Sequence, residues 1–188
     1  MVNIDNIFEK IATKMIDSLM FHDEMSTYYH FLGLDGYKEC HNYHYLKESN
    51  KYSDICEYYM CHYDKILKTD SHFESIIPMK WYQYSRQEID NSTKRTAIKN
   101  GIEKWVKWES DTMEYYQELY NELIVEKEFL IAKIVMEHIC NVDNELKHAK
   151  NKLLFLKSID YDLNLILSEQ HKLEKKYKCK KKEIFIKE

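Results

Sequence analysis

The chain has 188 residues, 44% of them hydrophobic, and a formal net charge of −4. That is enough apolar material for one substantial core and excludes a disordered chain. No stretch approaches the roughly 18 apolar residues of a membrane span, and five cysteines, an odd number without CxxC spacing (Cys40, Cys56, Cys61, Cys140, Cys179), favour free thiols over a disulfide framework.

The opening Met-Val-Asn-Ile-Asp lacks the character of a signal peptide, so a reducing, cytoplasmic setting with free thiols is expected. Charge is uneven. Residues 171–188 hold eight Lys against three Glu, a local +5 that leaves the remainder at −9. An acidic body does not draw in phosphate backbones, so no nucleic-acid partner is expected except through the Lys-rich C-terminus.

Three glycines and one proline leave long runs with no breaker, which predicts helix throughout. A first helix is predicted over about Asn3–Leu32, with Ile4, Ile7, Ile11, Met15, Leu19, His22, Met25 and Tyr29 on one stripe. Gly33-Leu34-Asp35-Gly36 then reads as a tight corner in which glycine supplies the positive φ that ends a helix. The second helix is predicted over about Tyr37–Leu67, with Tyr37, His41, His44, Glu48, Tyr52, Ile55, Tyr59 and His62 in step. Residues 69–90 break the pattern, hold Pro78, and are expected to carry a short helical turn near Trp81–Tyr84.

Asp90-Asn91-Ser92-Thr93 offers N-cap residues for a third helix to about Val125, striped by Ile98, Ile102, Trp105, Glu109, Thr112, Tyr116, Leu119 and Leu123. The fourth is predicted over about Lys127–Lys157, carrying Ala132, Val135, Ile139, Val142 beside Asp143, Leu146, Ala149 and Leu153. A fifth, about Ser158–Lys178, aligns Ile159, Leu163, Ile166, Gln170, Leu173 and Tyr177. Short corners within each pair and one long middle connection predict an all-α fold of two antiparallel pairs joined by a crossover. Residues 1–157 are expected to form the four-helix bundle. Residues 158–188 are expected to form a C-terminal helix and Lys-rich tail, packed on or extending from the same domain.

Polar side chains stand where the stripes ask for Leu: His22 on the first, His41, His44 and Glu48 on the second, Glu109 on the third, and Asp143 beside the fourth. Carboxylates are rarely buried without a partner. Acids on three helices and imidazoles on two are the ingredients of a carboxylate–histidine metal centre. The bland alternative is that these are core histidines with satisfied hydrogen bonds and acids that pair or face solvent. His41-x-x-His44 lacks the His-Glu-x-x-His of a zinc protease, and no phosphate-binding glycine loop is present.

The run Met25-Ser26-Thr27-Tyr28-Tyr29-His30-Phe31-Leu32-Gly33-Leu34-Asp35-Gly36-Tyr37 resembles the first corner of the ferritin-like superfamily. In layout the resemblance spans about residues 4–157. It implies a ferritin-like four-helix bundle that binds one or two iron ions, or manganese, among His22, His44, Glu48, Glu109 and Asp143. It also implies oxygen-dependent iron oxidation or a related redox step, with Glu109 bridging. Two family ligands depart from the pattern: a Glu would fall near Met15, and Lys51 stands where a His completes Glu-x-x-His. On the fourth helix Glu145 and His148 spell a literal Glu-x-x-His, but the apolar face predicted there favours Asp143. With those departures, a bundle kept as a scaffold without metal is the neighbouring reading. The competing class is a non-enzymatic interaction protein working through aromatic helix faces and the basic C-terminus, with a protein partner or a second copy. Its Tyr-rich, AT-biased composition resembles proteins of bacterial phages and mobile elements.

Overall fold

The computed structural model describes residues 3–71, 73–77 and 89–185. It contains five helices, α1 Ile4–Phe31, α2 Asp35–Tyr63, α3 Asn91–Val125, α4 Phe129–Ser158 and α5 Leu163–Phe185, and no strand among the described residues. Pro78 and the helical turn expected at Trp81–Tyr84 lie outside the described residues.

The helices end where their carbonyls can be capped. Gly33 takes φ 77°, and its N–H and that of Leu34 donate to His30 O and Tyr29 O at 3.0 and 2.9 Å. These are the two bonds of a Schellman ending. The same pair of bonds ends α3 at Lys127, φ 65°, and α4 at Asp160, φ 47°. Lys127 does not announce a left-handed conformation and Asp160 does so more weakly than glycine, so the third and fourth boundaries carry no glycine signal. Asp64, φ 54°, stops α2 a turn short of the expected Leu67. Conversely, α5 continues past Lys178 to Phe185. The start of α3 matches its N-cap expectation: the Asp90 carboxylate accepts the Thr93 N–H at 2.8 Å and the Thr93 hydroxyl at 3.0 Å. Those bonds, the backbone one first, hold the Asp90 carboxyl below the usual carboxylate range.

The chain forms two compact units. One comprises Asp5–Arg95 and Asp162–Glu188 and so holds α1, α2 and α5; the other comprises Met1–Ile4 and Thr96–Tyr161, with most of α3 and all of α4. In the first, α1 and α2 are antiparallel. Tyr29 meets Tyr37 at 5.1 Å between ring centroids, Ser26 donates to Asn42 at 2.7 Å, and Phe8 meets Tyr59 at 5.1 Å. At the far end the Tyr59 hydroxyl donates to Asp5 at 2.6 Å. That bond is the chief reason its phenol is pushed up to about 12. The link after α2 returns along α1, because Ser71 donates to Asp17 at 2.8 Å and the Ile76 N–H to Glu24 at 2.6 Å. In the second unit α3 and α4 are antiparallel too, with Trp105 against His148 at 5.3 Å and Tyr116 against His138 at 5.5 Å.

α5 runs alongside the first half of α2 in the same sense. Ile166, Gln170, Leu173 and Tyr177 are buried, Tyr37 donates to Glu169 at 3.0 Å, and Tyr43 meets Tyr177 at 5.6 Å. Lys181 pairs with Glu39, so the basic segment is fastened to α2 at that point. Gly36 does not make the corner by positive φ; it sits inside α2, and a Cβ there would lie 2.1 Å from the Gln170 carbonyl oxygen. Its role is to let two helix backbones approach. Gly36→Ala is therefore expected to lower stability by about 1–3 kcal/mol through overpacking. It should also make α5 more sensitive to protease, both readable by urea unfolding and limited proteolysis. A wild-type midpoint and digestion pattern would contradict the close approach.

Candidate metal centre

α1 contributes His22 and α2 contributes His41 and His44, three imidazoles with relative exposures of 1%, 0% and 4%. They are brought together by register. His41 and His44, three apart, share one face of α2, and the antiparallel pairing sets His22 against both. The Nδ1 atoms of His22 and His41 are 3.0 Å apart. One ring must donate to the other, so the two neutral rings are of opposite tautomer. His22 stacks on His44 with centroids 5.1 Å apart and an interplanar angle of 23°, and His41 lies 6.5 Å from His44. Tyr29 closes one side, stacked on His41 at 5.4 Å, and Tyr177 of α5 lies 6.5 Å from His44 on another. Burial, with smaller contributions from Tyr28 and Cys40, pushes the Tyr29 phenol well above its ordinary range, so Tyr29 meets the cluster as a neutral ring.

The acids fare differently. Glu48 is buried as expected and paired with Lys51, the residue standing where the resemblance asks for His. Glu109 is buried and accepts a hydrogen bond from the Trp105 indole at 2.9 Å. Asp143 does not sit on the buried face: its side chain is 45% exposed and pairs with Lys147 one turn on. Glu145, set aside in favour of Asp143, is 5% exposed. The physical reason is helix phase. Val142, Glu145, Leu146 and Ala149 are all buried and follow the three-and-four spacing of one stripe. That spacing was the signal for Glu145. His41 was also on its predicted stripe without being taken as a site residue.

The structure thus brings His22 and His44 together with His41, keeps Glu48 and Glu109 buried beside protein partners, and leaves Asp143 at the surface. An imidazole set suits iron, and equally zinc, copper or nickel, so the residues of the α1–α2 cluster fit a transition ion. Lys51→Met, which leaves Glu48 buried without its countercharge, is expected to cost about 1–3 kcal/mol. Adding Glu48→Gln should recover part of that loss in chemical denaturation. No loss in the single variant would show that the pair does not neutralise Glu48.

Solved structures share this fold. The Archaeoglobus fulgidus ferritin engineered into a closed form matches with a TM-score of 0.69 at 14% identity, over 93% of this chain and 97% of that one. An open-pore ferritin from the same archaeon matches at 0.69 and 14%, over 90% and 93%. A humanized archaeal ferritin matches at 0.69 and 16%, over 92% and 98%. No family model and no curated protein matches the chain. At such identity the likeness establishes architecture: an all-α, ferritin-like four-helix bundle with a fifth helix. No helix among the described residues is long and apolar enough to cross a membrane.

Proposed function

We propose that this protein is a divergent ferritin-like bundle that binds a transition ion through the imidazoles of His22 and His44, iron or manganese being the ions its resemblance implies. The observation that carries this reading is the burial of three mutually contacting imidazoles between α1 and α2. Packing alone gives weak reason to exchange Leu for three such polar rings, whereas a metal uses their nitrogen lone pairs. His22 and His44 would hold the ion, and a bound iron ion would supply redox chemistry. Glu48, one of the two buried acids of the same unit, is the further ligand the resemblance implies, and it would have to leave Lys51 to serve. Phenols Tyr29 and Tyr177 wall the cluster and limit water.

The proposal includes self-association, supported by the exposed apolar side chains Val125, Phe129 and Leu130 around the α3–α4 corner. It also includes a reducing compartment, which suits the free, exposed thiols of Cys61, Cys140 and Cys179.

Elemental analysis of aerobically purified protein tests the reading. A transition ion near one per chain or above is expected, iron or manganese on the resemblance alone, and it should be lost in His22→Ala and in His44→Ala with helicity unchanged by circular dichroism. Glu109→Gln and Glu145→Gln examine the buried acids of the other unit in the same assay. A metal-free wild-type protein that also takes up none on reconstitution, or His22→Ala and His44→Ala variants that keep the full load, would sink it.

A further inference from the structure

The α1–α2 cluster holds a fourth donor that the imidazole reading leaves unused. Cys40 is 2% exposed and precedes His44 by four residues, so thiol and imidazole project from one face of α2. A ligand atom of His44 lies within 4.8 Å of the Cys40 sulfur, and one lies within 4.8 Å of a His22 nitrogen. Around one tetrahedral ion such donors stand about 3.3–3.6 Å apart. The Cys40 sulfur and the His22 nitrogen each neighbour His44, and side-chain rotation has to bring all three to that spacing around one ion.

We propose that Cys40, His44 and His22 form a thiolate–imidazole site for a single late divalent ion of the zinc, cobalt or copper class, and that His41 is its positioning residue. The proposal rests on the metal-binding reading above and names the ion that the site prefers. Three observations carry it. First, the donors are soft or borderline. The buried acids of this unit, Glu48 and Glu39, are held by Lys51 and Lys181, so the thiolate is the negative charge most readily given to an ion. Thiolate with imidazole selects late ions over iron and manganese.

Second, the hydrogen bond between His22 Nδ1 and His41 Nδ1 has the form of an outer-shell contact. With His22 donating, its Nε2 carries the lone pair a metal needs, and His41 fixes both tautomer and ring orientation. Third, the site is sheltered, since Tyr29 stacks over His41 and Tyr177 lies against His44. Binding breaks the Cys40 S–H bond and forms a sulfur–metal bond. One proton passes to the buffer for each ion taken up, and no electron is transferred.

Cobalt(II) is the probe, added to chelator-treated, reduced full-length protein in which Cys56→Ser, Cys61→Ser, Cys140→Ser and Cys179→Ser leave Cys40 as the sole thiol. The expected result is one ion per chain with a thiolate-to-cobalt charge-transfer band in the near ultraviolet. Cys40→Ser should abolish that band and weaken binding at least about tenfold, and His41→Gln should weaken binding about 10–100-fold while keeping the band. X-ray absorption of the zinc-loaded protein needs no Cys40 variant and should show one sulfur at about 2.3 Å. Binding that depends on His22 and His44 but leaves band and affinity intact in Cys40→Ser, or a shell of nitrogen and oxygen alone, overturns the thiolate site and leaves the imidazole reading standing. Failure of any ion to bind removes both.

Discussion

The contact between the Nδ1 atoms of His22 and His41, 3.0 Å apart, is the constraint on which the α1–α2 pair turns. It joins two helices in the corner half of their interface by a bond that admits one proton between two rings. A slip of either helix by one residue would rotate its own imidazole off the shared face. The aromatic contacts on either side keep the same antiparallel register, from Tyr29–Tyr37 at the corner to Phe8–Tyr59 at the far end. Fixed in this way, His44 is carried onto His22 without a contact of its own having to select the register. The polar cluster is therefore built into the pairing of the helices rather than added to a finished core.

α5 reinforces that arrangement from the side. The approach allowed by Gly36 brings its backbone against α2, and Tyr177 then reaches His44. Glu39 and Lys181 close the contact as an ion pair with little solvent around it. Lys180 lies 5.3 Å above the Tyr43 ring and 5.7 Å above that of Tyr177, which gives part of the basic segment a packing role. The positive charge read as a tail in the linear sequence is here partly spent on holding a helix in place.

Much of this was legible in the sequence, for identifiable reasons. Apolar spacing located five helices, since a chain with so few breakers has little alternative. Every stripe residue named on the third helix is buried. Gly33 showed its corner because glycine advertises positive φ, whereas Lys127 adopts the same conformation without any mark in its identity and Asp160 with a weaker one. Gly36 misled because a residue chosen for close approach looks like one chosen for a turn. Of the candidate residues, His22, His44, Glu48 and Glu109 were recognisable as polar residues on apolar stripes. Asp143 was not separable from Glu145 by inspection of neighbours. Asp143 and Glu145, two positions apart, differ by about 200° of helix rotation, so only the phase of the whole stripe decides which is buried. The pairing of Glu48 with Lys51 lay one turn away in the chain, yet a lysine that replaces an expected ligand reads as a defect until its ammonium is seen on the acid.

The central claim is that the buried imidazoles between α1 and α2 are an ion-binding cluster and not a packing accident. Long-range proton–nitrogen NMR of the histidine side chains, recorded while zinc is added to metal-free protein, addresses it directly. The account predicts opposite tautomers for His22 and His41 before addition and large nitrogen shifts at His22 and His44 after it. The exposed rings of His30, His62 and His171 should stay unchanged at one equivalent. Shifts confined to those exposed rings, with the buried three unmoved, would contradict it.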